Sequence, residues 1–186
     1  MNTLQEKALL ANLVRKLREN GSWAGQTHVQ KAVYVLQEAR HVPMRFAFVP
    51  YIYGPFSFEL QEEIGDLLAD ELLVLEPQPA PFRPKLAVGE LGQCYITHFA
   101  HSLRKHEKDL DFVVKKFGKR GVGELERLTT ALYVIKNRKG QDPDLARAIT
   151  EMKPHVTREE AQCALEEAKT LIRPGVKKRI AAPAKK

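Results

Sequence analysis

The sequence has little cysteine, no long apolar run and no recognisable leader segment. Its 186 residues hold two cysteines, Cys94 and Cys163, which lie far apart and fit no paired-cysteine spacing. We expect both to be buried thiols rather than a disulfide. No apolar stretch approaches the ~20 residues that a membrane-spanning helix needs. The first residues also lack the cationic start and apolar block of a signal peptide. We therefore expect a cytoplasmic protein.

Sequence motifs of catalysis are also missing. No GxSxG, HExxH or phosphate-binding GxxxxGK[ST] pattern occurs in the chain. These patterns place a nucleophile, a metal or a phosphate where the chemistry requires them. We therefore expect no catalytic residues, no cofactor and no metal, and hence no enzyme. An enzyme with nuclease or phosphate chemistry would need carboxylates from separate helices to converge.

Acidic residues are absent from the C-terminal tail, 173–186, which holds six of the basic residues. The remaining 172 residues carry 24 bases and 23 acids, so the tail accounts for most of the net charge of +7. The tail has no apolar period, and we expect it to be disordered. Its cations could add non-specific affinity for nucleic acid, which salt would weaken. The body of the protein is not globally basic.

Aromatic residues are concentrated in one short stretch. Six of the fourteen aromatic residues lie between Phe46 and Phe58. A Gly-Pro pair interrupts the stretch and predicts a rigid corner, because glycine is permissive and proline fixes φ. Two interpretations remain open for the aromatic corner, a core cluster, which we favour, and a partner-binding surface. The corner consists of Tyr51, Tyr53, Phe56 and Phe58. The candidate partner-binding residues are Tyr51, Tyr53, Gly54, Pro55 and Phe56.

Helical periodicity and capping signals divide the first half of the chain. Residues 3–20 predict a first helix, and Thr27 with Gln30 has the spacing of a capping box that would open a second. Ser57 can cap a third helix over roughly 57–72. Residues 73–88 predict a two-stranded hairpin with a proline-rich tip. Three helices followed by a hairpin is the order of a winged-helix fold.

The second half also predicts helices. Apolar residues from Phe99 to Phe117 recur at intervals of three and four, which predicts one continuous helix of about five turns. Further helices are expected over roughly 122–137, from Asp142-Pro143 onward, and after a capping box at Thr157 and Glu160. The fold class is therefore mainly α, with a winged-helix-like region at 1–92 and a helical region at 93–172 packed on it as one domain.

Several segments carry a family resemblance. Residues 30–37 (QKAVYVLQ) and 48–57 (FVPYIYGPFS), with Leu60 and Leu67-Leu68, resemble the YwgA-like family of small prokaryotic proteins. The later segments 124–133, 152–154 and 157–160 are also similar to that family. More distantly, the helix and the Tyr-Gly-Pro corner resemble the Panacea domain of SocA-type antitoxins. Phe56 departs from the Panacea pattern, in which a smaller aliphatic residue follows Gly-Pro.

The resemblance implies a mainly helical, winged-helix-like body. The Panacea relatives imply a protein that neutralises or adapts a partner protein and has no enzymatic role. The YwgA-like family implies little about activity.

Three other features could form sites. His98 and His101 are spaced to share a helix face, but no acid or cysteine completes a metal-binding spacing. Residues 118–123 (GKRGVG) could cradle a phosphate, although no strand precedes them and a plain helix-to-helix turn is the better interpretation. Cations on the wing and the tail could contact nucleic acid. Those residues are Arg83, Lys85, Lys177, Lys178 and Arg179.

Two functions follow as hypotheses. The first is a non-enzymatic regulatory or accessory protein that binds a partner protein, as antitoxins and complex subunits do. The alternative is a winged-helix DNA-binding regulator. Acidic residues on the third helix argue against the alternative, because a recognition helix carrying Glu62, Asp66 and Asp70 would repel DNA phosphates.

Overall fold

The computed structural model describes residues 1–80, 83–138 and 144–174 of the chain. These residues are mainly helical, with two short antiparallel β-hairpins. In chain order the elements are α1 (Thr3–Glu19), α2 (Gln26–Glu38), β1 (Val49–Tyr51), β2 (Gly54–Phe56), α3 (Phe58–Ala69), β3 (Leu73–Glu76), β4 (Lys85–Val88), α4 (Glu90–His98), α5 (Ala100–Leu103), a 3-10 helix (Arg104–His106), α6 (Glu107–Phe117), α7 (Val122–Arg138), α8 (Leu145–Met152) and α9 (Arg158–Leu171).

Helix α1 is the centre of the fold. Residues 8–14 are buried on every side of the helix, because α4, α5, α6 and β4 all pack around it. Asn2 and Gln5 cap its start reciprocally. One cluster of buried apolar side chains extends from Ala8 to Leu171. Helices of both halves of the chain therefore share one core.

The predicted winged-helix order of elements is confirmed. Strand β3 pairs with β4 in a register that runs from Leu73 opposite Val88 to Glu76 opposite Lys85. The hairpin follows α3 directly, as predicted for residues 73–88. Helix α4 then packs against the residue before β3, so closely that a Cβ on Gly92 would lie 2.0 Å from the carbonyl oxygen of Leu72. The third helix is capped by Ser57, whose Oγ accepts the Leu60 N–H at 3.2 Å.

The prediction of one continuous helix up to Phe117 is wrong. The segment is divided into α4, α5, the 3-10 turn and α6, with breaks at Phe99 and at Arg104–His106. Helices α4, α5 and α6 all contact α1, so the segment bends around the central helix where a straight helix would leave it. The apolar period survives in α4, α5 and α6, each of which buries apolar side chains, whereas the 3-10 turn buries none.

Capping signals had mixed outcomes. The capping box of α9 is confirmed, since the Glu160 N–H donates to Thr157 Oγ1 at 3.2 Å and the Thr157 N–H donates to Glu160 Oε2 at 3.0 Å. The predicted box at Thr27 is wrong, because α2 begins at Gln26 and its N-cap, Gly25, has no side chain to offer. The amide of Gln30 instead bonds both the N–H and the carbonyl of Ser57.

The second half of the chain packs on the first through α6 and α7. Both helices contact α2, and α8 and α9 pack on α7. Helix α7 covers the predicted range of 122–137, which confirms that prediction. The predicted start of the next helix at Asp142-Pro143 lies outside the described residues, and α8 itself is capped by Asp144. The tail from 175 to 186 also lies outside them.

Candidate partner-binding site

An additional hairpin, β1 and β2, forms around the predicted Gly-Pro corner. Val49 lies opposite Phe56, and Tyr51 lies opposite Gly54. Gly54 has a φ of 83°, a left-handed conformation that side chains disfavour. A Cβ at this position would also lie 3.1 Å from Thr130 Oγ1 and 3.2 Å from Thr129 Oγ1 on α7. Gly54 therefore lets the hairpin turn and lets it lie against α7.

The tip of this hairpin exposes large apolar side chains. Tyr51 is 47% exposed, Ile52 63% and Tyr53 57%, and the neighbouring Phe58 at the start of α3 is 53% exposed. The Tyr51 ring lies 5.2 Å from the Phe56 ring and 5.8 Å from the Phe58 ring, measured between centroids. We call Tyr51, Ile52, Tyr53 and Phe58 the aromatic surface.

The preferred interpretation of the aromatic corner as core is wrong for Tyr51, Tyr53 and Phe58, which are exposed, while Phe56 is half-buried. The residues before the corner lie deeper. Phe46 is buried, and Phe48 packs on the buried Tyr34 at 5.0 Å between ring centroids. Among the five candidate partner-binding residues, Gly54 and Pro55 are buried and Phe56 is half-buried. Periodicity could not separate these outcomes, because aromatic residues favour cores and interfaces alike.

A buried lysine holds the turn of the hairpin from below. The Lys153 ammonium donates to the carbonyl oxygen of Tyr51 at 3.0 Å and also to that of Ile52. Lys153 Nζ lies 2.8 Å from Glu126 Oε1, and both side chains are almost fully buried. The carboxylate compensates the buried charge, while the two carbonyls use the remaining donors. Turn residues that face solvent are thereby attached to α7 and to the end of α8.

A second buried lysine holds β2. Lys31 is 1% exposed, and its ammonium donates to the carbonyl oxygen of Pro55 at 2.7 Å. Burial lowers the pKa of the Lys31 ammonium to about 8, with Glu126 opposing and Lys153 reinforcing the shift. Lys31 also lines a small cavity of about 100 Å³ beside Tyr51 and Tyr53. Both strands of the hairpin are thus bonded to lysines that the core encloses.

Sequence reasoning missed Lys31, Glu126 and Lys153. The available signal was a charge inside an apolar period, since Lys31 lies between Val29 and Val33 on a helix whose residues 28–36 are all buried. Lysine and glutamate are rarely buried unless they are paired, so such a position indicates an internal partner. The sequence did not indicate which partner, because Glu126 and Pro55 are distant in the chain.

Acidic side chains flank the aromatic surface on one side. Glu59, Glu62 and Asp66 are exposed on α3, and Glu62 lies one helical turn after Phe58. Glu63 of the same helix is buried instead and pairs with Arg45 at 2.7 Å. The exposed face of α3 therefore combines an aromatic ring with negative charge.

Two of the five candidate nucleic-acid-binding residues, Arg83 and Lys85, lie in the described part of the chain. Arg83 is exposed beside the wing. Lys85 lies over the Trp23 ring, with its Nζ 4.2 Å from the ring centroid, which is a cation–π contact. The tail residues Lys177, Lys178 and Arg179 lie outside the described residues.

The histidines and cysteines form no cluster. In the described parts of the chain, no group of three or more His, Cys, Asp or Glu side chains is arranged to hold a metal ion. His98 ends α4 and packs on Phe99, while His101 in α5 contacts Arg104. Cys94 and Cys163 are free and exposed, so the expectation of buried thiols is wrong. Each lies on the solvent side of its helix.

No helix in the described ranges has both the length and the apolar character needed to cross a membrane.

A scan of protein-family models finds none that matches this chain, and a search of curated proteins finds no similar sequence. The resemblance to the YwgA-like and Panacea families therefore stays a hypothesis that depends on the residues quoted for it.

Proposed function

We propose that this chain is a non-enzymatic regulatory or accessory protein that binds a partner protein through the aromatic surface. The observation that carries the proposal is the exposure of Tyr51, Ile52 and Tyr53 on a turn that buried lysines hold in place. Tyrosine is enriched among the few residues that supply most of the binding energy of protein interfaces. Contiguous apolar exposure on a folded protein also indicates a binding surface.

The rigidity of the hairpin supports this role. A flexible loop loses conformational entropy when it binds, and that loss weakens the complex. Here Lys153 and Lys31 bond three backbone carbonyls of the hairpin in the unbound protein. The aromatic surface is therefore presented in one conformation before the partner arrives.

The charges around the aromatic surface indicate the chemistry of the partner. Glu59, Glu62 and Asp66 on α3 favour a partner that carries basic residues next to its apolar anchor. The same acids oppose the winged-helix alternative, because the exposed face of α3 is the face a recognition helix would turn to DNA.

Burial lowers the pKa of Lys31 to about 8, yet the environment of this side chain favours a structural role over a catalytic one. Its ammonium is enclosed and bonded to the Pro55 carbonyl. Perturbed pKa values mark active sites only as a probability, and buried structural charges share them. We therefore assign Lys31 to the support of the hairpin.

Site-specific photo-crosslinking in the native host tests the proposal. A photoreactive amino acid at position 53 should form an adduct with one predominant protein, which mass spectrometry identifies. The matched control is position 91, since Leu91 on α4 is exposed to a similar degree, at 50% against 57% for Tyr53. Adducts that are absent at position 53, or the same at both positions, would contradict a partner site at the hairpin.

A further inference from the structure

A small cavity lies where α2, the β1–β2 hairpin and α3 meet. Helix α2 lines it with Thr27, Gln30 and Lys31, and α3 lines it with Gln61 and Ile64. Its volume is about 100 Å³. A protein cavity of about 150 Å³ holds benzene, which has six heavy atoms, so this cavity suits a chemical group of about four.

The amine of Lys31 lies next to the part of the cavity wall that the hairpin forms. Lys31 is 1% exposed, and its Nζ lies 2.7 Å from the carbonyl oxygen of Pro55. Gly54 and Phe56, on either side of Pro55 in the chain, both line the cavity, as Lys31 itself does. The bond to Pro55 therefore holds the buried ammonium group beside the cavity.

This ammonium group is only partly paired. It has three N–H donors, and in the described part of the chain only one of them has an acceptor, the Pro55 carbonyl. Glu126 attracts the ammonium electrostatically, but Glu126 is paired with Lys153, whose charge has the opposite effect. Two buried ammonium groups thus share one buried carboxylate. A buried charge without a counter-charge is costly, so this position favours an anion from outside the chain.

The other polar side chains around the cavity are donors without partners. Gln26, Thr27 and Gln61 line it, and none of their side chains forms a hydrogen bond within the ranges that the structure describes. No acidic residue is among the described residues that line the cavity. Each amide and the hydroxyl can donate to an oxygen of an anion, whose affinity such bonds increase.

We propose that this cavity binds a carboxylate group, which pairs with Lys31. Acetate and the side chain of aspartate each have four heavy atoms, which matches the volume, and either would supply the missing negative charge. The group therefore comes from a free small acid or from an acidic side chain of a partner protein. The site does not depend on partner binding through the aromatic surface, although Tyr51 and Tyr53 belong to both.

NMR of the full-length protein with isotope-labelled lysine side chains tests this site directly. Sodium acetate replaces sodium chloride at constant ionic strength. Acetate at millimolar concentration should shift the Lys31 side-chain resonances saturably and move their titration midpoint upward by at least about one pH unit, because a nearby negative charge favours the ammonium form. Lys108, exposed on α6, is the internal control. No saturable shift at Lys31, or an equal shift at Lys108, would overturn the proposal.

The affinity for acetate should also fall with rising pH. Burial lowers the pKa of Lys31 to about 8, so about a tenth of the free sites carry the ammonium at pH 9. Acetate should therefore bind about tenfold more weakly at pH 9 than at pH 7. Glu126, Lys153, Tyr51 and Tyr53 are the titratable groups around Lys31 in the described chain. An affinity that is equal at the two pH values would contradict pairing with Lys31.

A matched pair of variants locates the site. Gln61→Glu puts a carboxylate on an exposed residue that lines the cavity, where it repels acetate or takes its place at Lys31. Acetate binding should weaken at least about tenfold. Gln93→Glu makes the same change at an exposed position on α4 outside the cavity and should leave the affinity unchanged. Circular dichroism checks that both variants fold, and equal weakening by both would place the acetate elsewhere.

Aspartate capped as its N-acetyl methylamide distinguishes the two sources of the carboxylate. Tighter binding of capped aspartate than of acetate would assign the cavity to a side chain of a partner protein. Tighter binding of acetate or formate would assign it to a free small acid. Both results support a carboxylate site, whereas binding of neither compound overturns it. A failed crosslink at position 53 would contradict the partner site alone, because the acetate measurements need no partner.

Discussion

Single buried charges decide how the aromatic hairpin is held. Lys31 and Lys153 each place an ammonium group under the hairpin and use it on backbone carbonyls. Glu126 pairs with Lys153, and its negative charge also opposes the lowering of the Lys31 pKa. Buried ion pairs add little net stability compared with apolar packing, but removing one member is costly. These buried charges therefore fix the position of the hairpin and do not maximise the stability of the fold.

The depressed pKa of Lys31 predicts a pH dependence of folding. The unfolded chain keeps this proton up to the ordinary pKa of 10.5, whereas the native state releases it near a pKa of about 8. Between pH 8 and pH 10.5 the unfolded state therefore binds more protons at Lys31 than the native state does. The free-energy cost of burying the charged ammonium is thus relieved as pH rises. Relative to Lys31→Met, the wild type should gain stability across this interval, by roughly 3 kcal/mol at most. Urea unfolding at several pH values measures the gain.

Lys108→Met, an exposed change, is the control for that measurement and should show no such trend. A stability difference between wild type and Lys31→Met that stays constant from pH 7 to pH 10.5 would refute a depressed pKa at Lys31.

Two glycines make a matched pair for backbone strain. Gly54→Ala places a Cβ at a φ of 83° and 3.1 Å from Thr130 Oγ1, so it should destabilise the protein by roughly 1–3 kcal/mol. Gly65 lies inside α3, and a Cβ there meets no atom within 4 Å. Gly65→Ala should stabilise the protein by roughly 0.5–1 kcal/mol, because alanine is the better helix former. Thermal denaturation of both variants shows whether the signs differ as expected.

Tertiary contacts determine where the helices of this fold begin and end as much as local sequence signals do. The capping residues of α3 and α9 indicate where those helices begin, because a cap is a local bond between neighbours in sequence. The division of 90–117 into short helices has no such signal. Neither proline nor a helix-ending glycine lies at Phe99 or at Arg104–His106, and the bends arise because the segment follows α1.

The candidate site shows the same limit of sequence-based reasoning. The Gly54-Pro55 corner and the aromatic residues around it are evident in the sequence. Whether an aromatic side chain faces the core or solvent depends on what packs beside it, and α7 lies more than sixty positions along the chain. The sequence therefore predicts where the site lies and not which of its residues are exposed.

The hairpin element should loosen when its support is removed. Lys153→Met breaks the bonds to Tyr51 and Ile52 and leaves Glu126 buried without its partner. The loss of stability should be about 3–5 kcal/mol, and Glu126→Gln in the same chain should recover part of it, because the uncompensated charge is gone. Amide exchange in residues 49–56 should accelerate in both variants while α1 stays protected. Unchanged exchange at the hairpin would show that Lys153 does not hold it.

Across the whole molecule, one core supports both hairpins. Helices from both halves pack around α1 and α2, and the two hairpins form separate two-stranded sheets. One hairpin carries the aromatic surface with acids beside it, and the other is the wing between α3 and α4.

Partner binding through the aromatic surface is tested most directly by two affinities of the purified crosslinked partner. One is its affinity for the wild type, and the other is its affinity for the double variant Ile52→Ser/Tyr53→Ser. Calorimetry should show binding to the double variant weakened by about thirtyfold or more, since each side chain is an exposed anchor of the interface. Leu91→Ser should bind as the wild type does, because Leu91 is exposed to a similar degree but lies outside the hairpin. An unchanged affinity of the double variant would contradict the account.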